Sequence, residues 1–253
     1  MKVDAVVLAG GDASTVVPFA AGPKSLIDIA GRPMIGYVTD ALRQCSELDN
    51  IVIALPAGTD PAPFAGLGTK IITDTQGVVD AIDKAVKVLD RDGYVMVVSS
   101  DTPMISAAAL DDFLGDCKAD DAEIYYTVIP KEVIEKKFPG ARRTYIRLRD
   151  GIFTGGNVHL VGKDAFNRTK AMGERIFANR KSPLGLIRLL GFGFVVRFLF
   201  GRLTIASLEA RAGRALGAKV KAVVTRHPEL GVDVDKPEDL KIAEACLKQE
   251  NHL

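Results

Sequence analysis

The chain opens on a continuous apolar run, Val3 to Leu8, that breaks at once on Ala9-Gly10-Gly11. A run without alternation is what a strand covered on both faces shows. The glycine pair at its end lets backbone N–H groups approach an anion or a flat ring, because no Cβ stands in the way. A buried strand of this kind needs neighbours and covering helices, and the sequence supplies them. Strands are expected over Ile51–Leu55, Lys70–Thr73 and Tyr94–Val98, with helices from Pro33 to about Cys45 and from about Val78 to Leu89. Strand and helix alternating through short loops predict an α/β fold with a mostly parallel sheet. Ligands then bind beyond the carboxyl ends of the strands, where Gly10-Gly11 and Asp101 lie.

Composition narrows the function. Of 253 residues, 47% are hydrophobic and 26% charged, which excludes disorder, collagen and coiled coil. Lys+Arg 33 against Asp+Glu 32 leaves a net charge of +1, so no basic field recruits nucleic acid. Cys45, Cys117 and Cys246 are odd in number and far apart, which points to a reducing cytoplasm rather than a disulfide framework. The first apolar run is too short for a signal peptide.

The second half is less regular. Strands are expected over Glu123–Ile129, Thr144–Leu148, Asn157–Val161 (after a Gly155-Gly156 break) and Val220–Val224, with helical segments over Lys163–Arg180 and after Pro237. Ser106 is placed to N-cap a helix. The stretch from about 183 to 206 is rich in Leu, Phe and Val, but Arg188, Arg197 and Arg202 interrupt it below the length of a bilayer span. It reads as a helical elaboration packed on one domain of 1–253, in preference to a membrane-surface segment.

Leu8-Ala9-Gly10-Gly11, then Pro23-Lys24-Ser25-Leu26, then Gly31-Arg32-Pro33 resemble the opening signature of the sugar-phosphate nucleotidyltransferase superfamily, most closely its MobA-like, molybdenum cofactor guanylyltransferase branch. Further matches come in order. Thr75-Gln76-Gly77 resembles a Gln-Gly-Thr base-recognition turn, Ser100-Asp101-Thr102-Pro103 a strand-end aspartate-x-Pro, and Asp233-Val234-Asp235 with Pro237-Glu238-Asp239-Leu240 a late Asp-x-Asp before a helix. The resemblance implies a Rossmann-like, GT-A-type three-layer fold. It implies a Mg2+-dependent enzyme that moves a nucleoside monophosphate from a nucleoside triphosphate to a phosphorylated or anionic small molecule, releasing pyrophosphate.

Carried over by position, Leu8, Ala9, Gly10, Gly11, Gln76 and Gly77 would contact the nucleotide and Lys24 its α-phosphate, where a fixed ammonium stabilises developing charge. Ser14 and Thr15 would offer hydroxyls. Thr15 stands where relatives carry an arginine for the triphosphate, so a nucleotide-binding module with weakened turnover is one alternative, and a GT-A glycosyltransferase is another. Asp101 would hold magnesium, with the bare reading being a helix cap; of Asp233 and Asp235, one would meet the metal and the other cap the last helix. Arg143, Arg147 and Asn157 occupy the acceptor half, either receiving an anion or lying on a solvated strand.

Overall fold

The structure is a computed structural model in which residues 1–89, 92–179, 197 and 200–250 are described. Its strands are β1 Val3–Leu8, β2 Asp28–Ile29, β3 Arg32–Pro33, β4 Leu48–Pro56, β5 Lys70–Thr75, β6 Tyr94–Ser99, β7 Ile124–Pro130, β8 Ile146–Leu148, β9 Gly151–Gly162 and β10 Val220–Val224. The helices are α1 Met34–Gln44, α2 Val78–Leu89, α3 Ala107–Lys118, α4 Lys131–Lys137, α5 Lys163–Asn179, α6 Ile205–Leu216 and α7 Pro237–Glu250. Among the described residues the main sheet has eight strands, ordered β10-β7-β9-β6-β1-β4-β5, with β8 on β9. β9 runs against its neighbours β6, β7 and β8, whereas β1 pairs in parallel with both β4 and β6. The α/β class with a mixed, mostly parallel sheet is as the sequence predicts.

Three packed clusters explain the layers. Ile35, Val38 and Leu42 of α1 and Leu110, Phe113 and Leu114 of α3 cover one face of the sheet. Ala81, Ile82, Ala85 and Leu89, one stripe of α2 at helical spacing, cover the other together with Phe166 of α5. The third cluster lies across the carboxyl ends of the strands, where Met104, Ile129 and Ile134 meet Val232, Val234 and the α7 residues Ala243 and Leu247. It locks the late Asp-x-Asp segment against the strand ends. β1, enclosed on both faces, is buried from Val3 to Val7.

The structure departs from the sequence reading in two places. β9 does not start after the glycine pair but runs through it, with a register shift against β7 between Tyr126 and Val128. Asn157 lies within the stretch of β9 that this shift spans. α6 begins inside the stretch assigned to the apolar elaboration. Thr204 and Ser207 form its capping box and Gly217, at φ 69°, ends it. Residues 180–196, 198 and 199, the bulk of that expected elaboration, lie outside the described residues. No described helix is long and apolar enough to cross a membrane.

Two polar features on the sheet carry stability predictions. Lys163 Nζ lies 3.0 Å from Asp4 Oδ2 with both residues buried, and Asn50 Nδ2 donates to Asp4 Oδ1 at 2.7 Å. Lys163→Met removes the ammonium that offsets a buried carboxylate, so it is expected to cost about 3–5 kcal/mol by urea denaturation. A cost below about 1 kcal/mol would show that water already screens the pair.

His159 of β9 stacks on Tyr126, with centroids 4.4 Å apart and planes at 7°, and its buried Nδ1 has no hydrogen-bond partner. Burial pushes the imidazole down to about 4 from 6.5. The unfolded chain therefore binds a proton between pH 6.5 and 4 that the folded chain refuses. Stability is full above 6.5 and declines as pH falls to 4, by up to about 3 kcal/mol. Comparison with His159→Phe in denaturant at pH 7.5 and 4.5 isolates this loss. An equal gap between the two proteins at both pH values would refute it.

Candidate active site

The first loop folds back on the strand that launches it. Lys24 N donates to Gly11 O at 3.1 Å and Ala13 N to Gly22 O at 3.0 Å, closing residues 11–24 into a compact turn. Gly11 has φ 94°, and a Cβ there would lie 3.3 Å from the Lys24 Cβ. Glycine thus permits both the left-handed backbone and the close approach of the lysine stem. Lys24 sits on a single 3-10 turn, Lys24–Leu26, and is buried. A buried ammonium needs counter-charge, and the fold supplies it from two distant segments.

Lys24 Nζ lies 2.5 Å from Asp101 Oδ2 and 2.6 Å from Asp235 Oδ1. Asp101 follows the carboxyl end of β6, where the Ser99 hydroxyl also donates to it, and its carbonyl accepts from Val234 N at 2.8 Å. That last bond stitches the strand end to the Asp-x-Asp segment. Asp101, Asp233 and Asp235 each turn a carboxylate oxygen into one group whose atoms all lie within 4.8 Å of one another. Arg143 closes the far side, its guanidinium paired with Asp233 and, at 3.8 Å, facing Asp239.

Electrostatics follow from this crowding. Burial would push the Lys24 ammonium down, but the charge and hydrogen bond of Asp101, with those of Asp235, hold it above the ordinary lysine value. Burial lifts the Asp233 carboxyl, with Arg143 opposing and the Asp101 and Asp235 charges adding to the rise. Burial would raise Asp235 too, yet the hydrogen bond and charge of Lys24 bring it below the usual carboxylate range. Hard oxygen donors converging at this spacing fit a divalent cation such as magnesium, and Lys24 stands in as the cation here.

Both acids of the Asp-x-Asp pair therefore reach the cluster, and neither caps the last helix. Asp239, within the first turn of α7, reaches back to brace the same segment, its Oδ2 accepting from Asp235 N and Lys236 N at 3.1 Å each. Asp101 does not cap α3 either; Ser106 does, accepting from Ala109 N at 3.2 Å.

The nucleotide side of the reading maps to the adjoining strand ends. Leu8, Ala9, Gly10 and Gly77 line a cleft of about 150 Å³ with Pro56 and Thr75. Gln76 N donates to Asp80 Oδ2 at 2.8 Å and its side chain is exposed, so the backbone turn is braced while the amide is left available. Ser14 and Thr15 are exposed, but each is already engaged with Asp12. Ser14 N donates to the Asp12 carboxylate, and the Thr15 hydroxyl donates to the Asp12 carbonyl at 2.7 Å.

A strand-end Gly-Gly loop, a lysine and three converging carboxylates on this sheet accord with the comparison of the chain with known families. The description "MobA-like NTP transferase domain" matches over residues 5–229. The chain belongs to this family.

Similar proteins show how far the likeness extends. A hypothetical transferase structure from Thermus thermophilus shares 38% identity and superposes with a TM-score of 0.85, covering 95% of this chain and 100% of that one. The bifunctional protein GlmU of Sorangium cellulosum is 30% identical over 96% of this chain and 51% of its own length. The molybdenum cofactor guanylyltransferase of Shewanella baltica is 30% identical over 49% of this chain and 61% of its own. The chain thus spans about half the length of the bifunctional relative.

Within this MobA-like domain the three residues expected on the acceptor side fall in different surroundings. Arg143 is held by Asp233 and by its backbone carbonyl at 2.5 Å, so it braces the acidic segment instead of standing open to an anion. Arg147 is exposed on β8, with Gly201 packed along its stem. Asn157 follows next after the Val98–Val158 pair of β6 and β9, which sets it level with Ser99 and hence beside the Asp101 turn. The sequence reading left out Glu229, a buried carboxylate just ahead of the acidic segment. Its only sequence signal was a Pro-Glu dipeptide before Gly231-Val-Asp.

Proposed function

We propose that this chain is a magnesium-dependent nucleotidyltransferase that moves a nucleoside monophosphate from a nucleoside triphosphate to a phosphorylated or otherwise anionic small molecule. The observation that carries the reading is the meeting of Lys24 with Asp101, Asp233 and Asp235 beside the Gly10-Gly11 loop, at the carboxyl ends of the central strands. Membership of the MobA-like family and the name of the guanylyltransferase relative support it.

In this reading an acceptor oxygen attacks the α-phosphorus in line, the bond to the β-phosphate oxygen breaks, and pyrophosphate leaves with the electron pair. An acceptor phosphate is already ionised and needs no general base. Backbone N–H groups at Gly10-Gly11 and Gly77 take the nucleotide, with the turn open to it because those positions carry no side chain. Lys24 turns its ammonium from the aspartates to the α-phosphate oxygens and neutralises the charge that builds there. Asp101, Asp233 and Asp235 hold the magnesium ion, whose chemistry is to neutralise and polarise phosphoryl oxygens. Arg143 keeps Asp233 turned inward.

Thermal unfolding with CTP, GTP, UTP and ATP, each with and without Mg2+, tests the reading. One triphosphate is expected to stabilise strongly only with Mg2+, by about 2.7 kcal/mol at a hundredfold excess over its dissociation constant. No response to any triphosphate would overturn it. A second reading, nucleotide binding with weakened turnover, is favoured by one feature: no lysine or arginine lies between Gly11 and Lys24. Magnesium-dependent binding without pyrophosphate release across a panel of phosphorylated acceptors would select it.

A further inference from the structure

We infer that Glu229 is a positioning residue that sets the geometry of the acidic cluster; the inference rests on the reading of that cluster as the metal site. Glu229 lies on the single turn Pro228–Gly231, which runs directly into Val232 and Asp233. Its side chain is 5% exposed, yet it meets polar groups of two other segments, Lys137 and Ser106, and of His227 at the start of its own turn.

Each segment leads to one part of the site. Lys137 Nζ, at the end of α4, donates to Glu229 Oε2 at 2.8 Å, and the chain beyond α4 carries Arg143, the partner of Asp233. Ser106 Oγ, the cap of α3, is 3.5 Å from Glu229 Oε1, at the end of the turn that starts with Asp101. His227 Nδ1 is 3.3 Å from the same oxygen, and its Nε2 is 2.8 Å from Asp112 Oδ2 on α3. Glu229 itself stands on the segment of Asp233 and Asp235. One buried carboxylate therefore ties together the bases of the three loops that bring Asp101, Arg143 and the Asp-x-Asp pair into contact.

A Cβ on Gly231 would meet Ile129 Cδ1 at 2.1 Å, so glycine lets this turn pack closely on the Ile129 side chain of β7. Burying a carboxylate is costly, and an apolar side chain of the same volume would fill the space at lower cost. What the carboxylate adds is direction, fixing three loops to one point. Groups one layer behind metal ligands commonly alter metal affinity by about 10–100-fold.

The experiment measures Mn2+ binding to the full chain, by the electron paramagnetic resonance signal of the free ion, in wild type, Glu229→Gln, Lys137→Met and Asp101→Asn, alongside melting temperatures. Glu229→Gln is expected to weaken Mn2+ about tenfold. Lys137→Met, at a half-exposed position, is expected to weaken it several-fold with an unchanged melting temperature. Loss of binding in Asp101→Asn together with wild-type affinity in Glu229→Gln and Lys137→Met would overturn the positioning role and leave the site reading intact. Wild-type affinity in Asp101→Asn would overturn the site reading and this proposal with it. If Glu229→Gln fails to fold, Lys137→Met decides alone, since a merely structural tie would leave Mn2+ affinity where it was.

Discussion

Asp101→Asn is expected to lower kcat/KM for pyrophosphate release by at least about a thousandfold, roughly 4 kcal/mol of transition-state stabilisation. The amide keeps the size of the side chain but gives up the charge that draws a divalent cation, and one of its two terminal atoms becomes a donor. The fold has less at stake. Lys24 retains Asp235 at 2.6 Å, and the repulsion that helps raise the Asp233 carboxyl is relieved. The melting temperature is therefore expected to stay within a few degrees of wild type, with activity lost. Retained turnover in a destabilised protein would make Asp101 a structural residue and refute the metal assignment.

Lys24→Met is expected to act in two directions at once. Catalysis falls by about a hundred- to a thousandfold, the usual cost of removing one preorganised cationic or hydrogen-bonding group from developing phosphoryl charge. Metal binding in the absence of nucleotide becomes tighter. The ammonium lies 2.5 and 2.6 Å from two of the three carboxylates, in competition with any cation. Removing a unit charge about 4 Å away is worth up to about 4 kcal/mol near a protein surface, so a tenfold gain in Mn2+ affinity is a modest expectation. Calorimetric titration of Mn2+ into the two proteins provides the check. Weaker binding in Lys24→Met would show that the lysine organises the carboxylates and does not compete for them.

This competition gives the ion pairs a functional sense. Lys24 and Asp235 hold each other in the charged form in a partly buried place. Under the proposed function the aspartates would hold a metal ion while Lys24 would pair with phosphate, so that neither partner would pass through an uncompensated buried state.

Much of the framework was legible in the chain because local rules govern it. The unbroken apolar run of β1 reports a strand enclosed on both faces, and the burial of Val3 to Val7 matches it. The stripe Ala81, Ile82, Ala85, Leu89 reports one covered face of α2. Gly10-Gly11 and Asp101 stood out as unusual residues at strand ends, and Lys24, Gln76-Gly77 and the Asp-x-Asp pair through their ordered resemblance to the nucleotidyltransferase signature. Where reading failed, the deciding contact was non-local. β9 continues through Gly155-Gly156 because β7 pairs with it on both sides of the glycines, at Thr154 and Gly155 and again from His159, and that ladder outweighs the low strand preference of glycine. α6 announced itself by Thr204, Ser207 and Gly217, but those caps lay at the edge of an apolar stretch that drew attention to itself.

By itself the sequence determined the fold class and which residues were available for chemistry, since periodicity and strand-end composition are properties of neighbouring residues. Only the tertiary structure decided how those residues are used. Lys24 and Asp235 are 211 positions apart, and Arg143 and Asp233 are 90 apart. No local preference encodes which carboxylate meets which cation over such separations. The third core cluster does, by pressing Val232 and Val234 into the strand ends and leaving Asp233 and Asp235 to face Asp101. Thus an arginine that reads as open to an anion is paired with Asp233, and Lys24 lies among aspartates.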